Sequence, residues 1–110
     1  MSEALREAID EEMQRDPTVF LVGEEIGVWG GSYAVSAGLL EKYGPDRIVD
    51  TPIAEAAIAG LGIGAALTGS RPIAEFMYSD FMGIAMDQIV NQAAKNRYMF
   101  GGKARLPLTY

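Results

Sequence analysis

The sequence predicts an α/β domain in which a parallel sheet is flanked by helices. Short apolar runs, too short for helices and rich in β-branched residues, predict buried strands. These runs alternate along the chain with longer segments that carry apolar residues at helical spacing, which is typical of parallel strands joined by crossover helices. With 110 residues, 49% of them hydrophobic and 22% charged, the chain is long enough for one globular domain with a core.

The first half of the chain contains three predicted elements. They are an amphipathic helix over 3–15, a buried strand over 18–22 and a short helix over 35–43. The first helix ends at Asp16-Pro17, because a proline disfavours the helical conformation in the residue before it. Gly44-Pro45 ends the second helix in a similar way.

The second half continues the same alternation. The predicted elements are a strand over 47–49, a helix over 52–69, a strand over 72–77, a helix over 82–100 and a strand that begins at 106. We expect Thr51 to cap the 52–69 helix and Pro52 to occupy its first turn, where a missing N–H is tolerated. The side of the longest helix that is expected to face inward contains Ile84, Ile89, Ala93 and Ala94. Because the last strand is followed by no turn or cap, we expect the sheet to be incomplete and the chain to be part of a longer protein.

Composition argues against several classes of function. The net charge of −6 disfavours nucleic acid and anionic membranes as partners, since both require clustered Lys and Arg. The chain has no His and no Cys, so it contains neither a Ser-His-Asp triad nor a zinc site of the usual kind, and we assign no metal ligands. No run reaches the ~18 apolar residues of a membrane span. No secretory signal is recognised, and we expect a cytoplasmic location.

Glu55 is the strongest candidate for a chemical role. It ends the stretch Asp50–Glu55 and lies among small apolar residues that include no cation. Burial there would penalise the charged carboxylate, so we expect Glu55 to resist ionisation, as acids with chemical roles often do. The alternative is a surface residue stabilised by the positive end of the helix dipole. Glu75, by contrast, is expected to pair with Arg71 or Arg47.

Three loops are expected to meet at one edge of the sheet, because parallel strands have their carboxyl ends at the same edge. Ligands of such sheets bind just outside these ends. They contain Glu24 after the first strand, residues 51–55 after the second and residues 77–81 after the third. A carboxylic acid that faces an aromatic ring suits a flat heterocycle with a basic nitrogen, which would stack on Phe81 and share a proton with the acid. Taken alone, however, Phe81 is more often a core residue.

The run Gly60–Ala65 matches the dinucleotide-binding pattern G-x-G-x-x-A, but it occurs in the wrong place. That pattern requires the first glycine to leave a strand and open a helix, whereas these glycines fall inside the predicted 52–69 helix. Glycine costs ~1 kcal/mol per interior helical position, and the close approach of a second helix offsets that cost. We therefore expect Gly60 and Gly64 to form a tight interface with another subunit. The alternative is that the helix packs only on its own sheet.

Several segments occur in an order that resembles a known family. They are Val22–Glu25, Asp50–Glu55, Gly60–Gly69, Arg71–Ile73 and Asp87–Lys95. As a set they resemble the beta subunits of thiamine-diphosphate-dependent 2-oxo acid dehydrogenases, of the pyruvate, branched-chain 2-oxo acid and acetoin types. The resemblance implies a thiamine-diphosphate-binding fold of the pyrimidine-domain type. Residues 1–110 would be the N-terminal part of that domain, and the C-terminal transketolase-like domain would be absent from this chain.

The resemblance also implies roles for individual residues. Glu55 matches the glutamate that hydrogen-bonds N1′ of the cofactor's aminopyrimidine and so activates the thiazolium carbon that attacks a 2-oxo acid. Phe81 matches the aromatic residue that stacks on the pyrimidine, and Ile53 and Met77 match residues that line the same ring. Glu24 matches a second acid near the aminopyrimidine, or in the proton network that links two active sites.

Partners follow from the same resemblance. An alpha subunit would hold the diphosphate and its magnesium, and two alpha and two beta chains would form a heterotetramer. The second beta subunit would pack on the Gly60–Gly64 helix, and the acyl group would pass to a lipoyl group on an acyltransferase core. The sequence does not distinguish among the possible 2-oxo acids. One alternative is a relative of transketolase or deoxyxylulose-phosphate synthase, which usually carries substrate-contacting histidines that this chain lacks. The other is a non-catalytic α/β dimerisation module.

Overall fold

A computed structural model describes all 110 residues and confirms the α/β architecture. The sheet has three parallel strands in the order β2-β1-β3. In chain order the elements are α1 (Ser2–Arg15), β1 (Val19–Gly23), α2 (Leu39–Tyr43), β2 (Ile48–Asp50), α3 (Glu55–Leu67), β3 (Arg71–Glu75), a 3-10 helix (Ser79–Ala85), a π-helical segment (Asp87–Ala93) and α4 (Ala94–Met99). None of the helices combines the length and the hydrophobicity that a membrane crossing requires.

The central strand β1 sets the register of the sheet. Leu21 lies opposite Ile48 of β2 and Ile73 of β3, in parallel pairing on both sides. Thr109 extends the sheet beyond β3, where its carbonyl accepts a hydrogen bond from the Ala74 N–H (N···O 2.8 Å). The strand predicted from residue 106 is therefore confirmed as a parallel neighbour of β3, but only around Thr109.

Helices cover both faces of the sheet. Successive side chains of β1 point to opposite faces, so each face contributes its own buried cluster. Leu21 is fully buried on the face covered by α1 and α2, in a cluster that contains Met13, Val19, Leu21, Ile26, Leu39 and Ile48. Val22 is fully buried on the other face, against Ile58 of α3 and Ala74 of β3. Burial of one such side chain contributes about 1.5–3 kcal/mol to stability. The carboxyl ends of the strands are thus fixed between two helical layers.

Arg47 joins the end of α1 to the sheet. Its guanidinium donates hydrogen bonds to the backbone carbonyls of Met13 (2.8 Å), Asp16 (3.0 Å) and Val19 (2.6 Å). Arg71, the first residue of β3, forms an ion pair with the Asp16 carboxylate (N···O 3.0 Å). Both arginines therefore stabilise the same corner of the domain.

The helix predicted after β2 begins later than expected, at Glu55, so Thr51 does not cap it and Pro52 does not lie in its first turn. The backbone of the preceding loop explains the difference. Thr51 continues the sheet by donating its N–H to the carbonyl of Gly23 (2.9 Å), and Ala54 is extended at φ −163°. Glu55 consequently lies in the first turn of α3, where backbone N–H groups have no partner within the helix.

The single helix predicted over 82–100 is divided into the 3-10 helix, the π-helical segment and α4. Because the number of residues per turn changes along this stretch, apolar residues do not stay on one side. Ile84 is 60% exposed and Ala94 is also exposed, so their predicted inward positions are wrong. Ile89 and Ala93 are half-buried.

Replacement of Arg47 by methionine should lower the free energy of unfolding by at least about 2 kcal/mol, because half-buried carbonyls lose a charged donor. The midpoint of urea unfolding measures the effect. Arg15→Met is the matched control, because Arg15 pairs only with Glu12 and its side chain is 75% exposed. Exposed pairs of this kind contribute little to stability. Equal destabilisation by the two substitutions would contradict the role assigned to Arg47.

Candidate functional site

Two carboxyl groups are buried together where β1 and β2 end. Glu24 follows β1 and is 4% exposed, and Glu55 begins α3 and is 6% exposed. The side chain of Glu24 reaches the start of α3, where its Oε1 accepts a hydrogen bond from the Ala54 N–H (3.3 Å). The fold therefore brings together the two acids that the sequence singles out.

The environment of Glu24 favours its protonated form. Burial raises the pKa of the Glu24 carboxyl group, the negative charge of Glu55 raises it further, and the hydrogen bond from Ala54 acts in the opposite direction. Neither acid forms an ion pair with a lysine or an arginine. Glu24 thus keeps its proton to a higher pH than an ordinary glutamate, beside a second carboxyl group. Such a pair is suited to proton transfer.

Asp50 fixes the loop that carries Glu24. Its Oδ1 accepts a hydrogen bond from the Gly27 N–H (2.7 Å), which joins the loop after β1 to the end of β2. A Cβ atom at position 27 would lie 2.4 Å from Oδ2 of Asp50. The close approach of the Asp50 carboxylate to the backbone of residue 27 therefore requires glycine there. The sequence analysis missed Asp50. An acidic residue at a strand end, opposite a glycine-containing loop, is the signal that could have indicated it.

Thr51 lies at the same junction, and its Oγ1 is buried without a hydrogen-bond partner. An unsatisfied buried hydroxyl costs about 1–3 kcal/mol. The sequence analysis assigned Thr51 to a helix cap and therefore missed its place at this junction. Its Oγ1 is closed to solvent in this chain, and its capacity to form a hydrogen bond is unused.

Phe81 lies in the 3-10 helix, which packs against α3. Its ring contacts Tyr78 edge to face, with a centroid separation of 5.6 Å, and Tyr78 contacts Tyr33 in the same way at 5.9 Å. Phe81 is 36% exposed, so part of its ring is open to a ligand. The aromatic cluster therefore supports the ring of Phe81 without covering it.

Ile53 and Met77 are placed differently from the acids. Ile53 is 82% exposed, in the loop between β2 and α3. Met77 is half-buried and lines a mostly apolar cavity of about 470 Å³, whose walls include none of Glu24, Glu55 and Phe81. Met77 thus faces a cavity that the carboxyl pair does not line, whereas Ile53 lies next to Ala54, whose N–H bonds Glu24.

Glu75 lines the same apolar cavity and is half-buried. Its predicted pairing with Arg71 or Arg47 is wrong, because Arg71 pairs with Asp16 and Arg47 donates to backbone carbonyls. Burial raises the pKa of the Glu75 carboxyl group. Glu75 is therefore, like Glu24, a carboxyl group whose environment favours the protonated form.

The junction of β1 and β2 is suited to a flat ring that contains a basic nitrogen. The two acids can share a proton with such a nitrogen, and the partly open ring of Phe81 lies in the 3-10 helix that packs against α3, the helix that Glu55 begins. The chain contains no group of three or more His, Cys, Asp or Glu side chains that could hold a metal ion. Proton donation and acceptance are the chemistry that the two carboxyl groups can supply.

Comparison with known proteins shows what the chain is similar to. The family model described as "Transketolase, pyrimidine binding domain" matches residues 1–110. Pyruvate dehydrogenase E1 component subunit beta-1, mitochondrial, of Oryza sativa subsp. japonica is 54% identical over 108 residues, which cover 98% of this chain and 29% of that protein. Pyruvate dehydrogenase E1 component subunit beta of Rickettsia bellii is 55% identical over 108 residues, which cover 98% and 33%.

A similar degree of identity extends to a protein with a different name. Acetoin:2,6-dichlorophenolindophenol oxidoreductase subunit beta of Cupriavidus necator is 54% identical over 115 residues, which cover 96% of this chain and 34% of that protein. The chain spans about a third of the length of these relatives.

The predicted cytoplasmic location is wrong as an inference from this sequence. Similar proteins of Oryza sativa, Arabidopsis thaliana and Dictyostelium discoideum are mitochondrial by name. The prediction rested on the lack of cysteine and of a recognised secretory signal, and neither feature separates a mitochondrial protein from a cytoplasmic one.

Glu75→Gln should stabilise the protein at about pH 8 and have much less effect at about pH 5. Burial raises the pKa of Glu75 in the folded chain, so folding favours the protonated carboxyl group. The stability that protonated Glu75 contributes is fully present at pH values below the pKa of Glu75 in the unfolded chain. It is lost as the pH rises through the pKa of Glu75 in the folded chain. Glutamine does not ionise and avoids this loss.

Thermal unfolding of the wild type and the variant at both pH values measures the difference. The exposed Glu41→Gln is the control, since it makes the same change of charge outside the cavity. A stabilisation by Glu75→Gln that is the same at both pH values would contradict the assignment.

Proposed function

The chain belongs to the transketolase pyrimidine-binding domain family, and from this membership we propose that it is the N-terminal part of that domain in a thiamine-diphosphate-dependent 2-oxo acid dehydrogenase beta subunit. The remainder of the domain and a C-terminal transketolase-like domain would complete the subunit. The names of the similar proteins support the proposal. The buried pair of Glu24 and Glu55 at the ends of β1 and β2 is the structural observation that supports the proposal most strongly.

Glu55 would be the acid that faces the aminopyrimidine ring. Thiamine diphosphate, when bound, supplies the carbon nucleophile for a 2-oxo acid and accepts the electrons released with CO2. Glu55 would share a proton with the ring nitrogen, which requires a carboxyl group shielded from water and free of a cationic partner. The 6% exposure of Glu55 and its lack of an ion pair support this role.

Glu24 would be the proton partner of Glu55. Its hydrogen bond from the Ala54 N–H holds the carboxyl group at the start of α3. Because burial and the charge of Glu55 raise the pKa of Glu24, the pair can retain a proton above the pH at which exposed glutamates lose theirs. A retained proton beside Glu55 would replace the one that Glu55 shares with the ring.

Phe81 would stack on the pyrimidine, and Ile53 and Met77 would line it. The partly open ring of Phe81 supports its role. Ile53 is 82% exposed, and an isoleucine so exposed would gain stability if a cofactor or a second chain covered it. Met77 has the least support among these residues, because it lines the apolar cavity.

An alpha subunit would hold the diphosphate and its magnesium, and two alpha and two beta chains would form a heterotetramer. The names of the relatives, which are subunits of larger enzymes, support a partner chain. The lack of a metal-binding cluster in this chain is compatible with a magnesium site on that partner. The acyl product from pyruvate or a related 2-oxo acid would pass to a lipoyl group on an acyltransferase core.

The second beta subunit would pack against Gly60 and Gly64. Gly62 faces the chain's own residues, because a Cβ atom there would lie 2.9 Å from Leu108 Cδ1. At Gly64 a Cβ atom would meet nothing within 4 Å, and at Gly60 it would meet only Gln88 Cγ, at 3.9 Å. The fold of this chain thus accounts for glycine at position 62 but not at 60 and 64, which supports an external partner at those two residues.

Glu55→Gln should reduce decarboxylation in the assembled enzyme by about 10²–10⁴-fold, which is the usual contribution of an acid–base group. The fold should be retained, because glutamine has nearly the same shape. Glu25→Gln is the matched control, since Glu25 is exposed and lies beside Glu24 in the same loop. Decarboxylation measured with an artificial electron acceptor checks both variants. An active Glu55→Gln enzyme would leave the catalytic role assigned to Glu55 without support.

Gly64→Ala should weaken assembly without unfolding the chain. In an interior helical position alanine is better than glycine by ~1 kcal/mol, so the folded chain should become slightly more stable. A methyl group at a close helix–helix contact would separate the two subunits. Sedimentation velocity measures assembly, and Gly83→Ala is the control, because a Cβ atom there also meets nothing within 4 Å. Unchanged assembly of Gly64→Ala would remove this residue from the interface.

A further inference from the structure

Three arginines line a cavity at the opposite end of the sheet from the carboxyl pair. The cavity has a volume of about 480 Å³, and the side chains that reach it include Arg71, Arg97 and Arg105. Arg71 begins β3, whereas the proposed cofactor site lies where β1 and β2 end. The cavity, called the basic cavity below, is therefore separate from that site.

The chain turn after α4 brings these arginines together. Gly101 and Gly102 have positive φ angles (59° and 80°), and the Gly102 N–H bonds back to the carbonyl of Arg97 (2.7 Å). This turn ends the helix and folds the following residues back, so that Arg105 faces the side of α4 that carries Arg97. Pairing of Thr109 with β3 then fixes the returning segment beside Arg71.

The positive charge of the basic cavity is only partly compensated. Arg71 pairs with Asp16 (3.0 Å), and Arg97 makes one long hydrogen bond, to the Ala104 carbonyl (3.4 Å). Arg105 makes no hydrogen bond and no ion pair. Residues 88–110 contain four Lys and Arg residues and no Asp or Glu, although the chain as a whole has a net charge of −6. Like charges held together in this way repel each other unless an anion lies between them.

We propose that the basic cavity binds the phosphate group of a small phosphorylated molecule. The guanidinium groups of Arg97 and Arg105 supply two uncompensated charges, and a phosphate monoester carries about −1.5 to −2 at neutral pH, whereas a carboxylate carries only −1. The planar donors of arginine match phosphate oxygens in pairs. A volume of about 480 Å³ exceeds the needs of phosphate alone. The apolar walls, formed by Ala93, Ala94, Leu106 and Pro107, suit the organic part of such a molecule.

Calorimetric titration of the assembled protein with glycerol 3-phosphate tests the proposal. Thiamine diphosphate and magnesium are added at one equivalent per cofactor site, so that the cofactor's own phosphate site is filled and no excess diphosphate competes for the basic cavity. We expect saturable binding with one site per chain. The double variant Arg97→Gln/Arg105→Gln should bind at least about tenfold more weakly, because each arginine supplies charged hydrogen bonds.

The matched control is Lys95→Gln/Lys103→Gln, which removes the same charge from residues that do not line the cavity. Its affinity should stay within about twofold of the wild type, since only long-range attraction changes. An equal loss in both double variants, or no saturable binding by the wild type, would overturn the proposal. Glycerate, a three-carbon diol that carries a carboxylate instead of a phosphate, should bind more weakly, and equal affinity would overturn the choice of phosphate. Thermal melting verifies that the variants fold. If the double variant Arg97→Gln/Arg105→Gln does not fold, the single variant Arg105→Gln is used in its place.

Discussion

The burial of two carboxyl groups at one junction is the constraint on which the rest of the structure depends. Removal of Glu24 and Glu55 from water is costly, and two negative charges held close together in a medium of low dielectric add to that cost. The fold offsets part of it with the Ala54 N–H and with the positive end of the α3 dipole beside Glu55. The rest appears as the raised pKa of Glu24, so that this carboxyl group keeps its proton to a higher pH than an ordinary glutamate.

The geometry of that junction depends on small backbone contacts between two loops. The hydrogen bond from Gly27 to Asp50 and the pairing of Thr51 with Gly23 hold the loops after β1 and β2 against each other. Because β1 is buried by helices on both faces, this junction lies at the end of the central strand of the core. The chain thereby positions its acids through backbone hydrogen bonds, and it contains no histidine and no cysteine.

The sequence predicted the alternation of strands and helices, the parallel pairing and the meeting of Glu24 with Glu55, because these follow from apolar patterning and from the geometry of parallel sheets. It failed where tertiary hydrogen bonds override local preference. Thr51 joins the sheet instead of capping α3, and the stretch after β3 changes its helical type twice, so the inward position predicted for Ile84 was wrong. Asp50 was missed because its partner is a backbone N–H in a different loop, which no local pattern reveals.

The pKa of Glu24 measured in the presence and absence of the Glu55 charge tests the coupled carboxyl pair most directly. Carbon-13 NMR titration of the Glu24 carboxyl group, in the wild type and in Glu55→Gln, provides the comparison. The account predicts a raised pKa in the wild type that falls in the variant and stays partly raised, because the burial remains while the neighbouring charge is lost. A pKa of Glu24 that is ordinary in the wild type, or that does not change on substitution of Glu55, would contradict it.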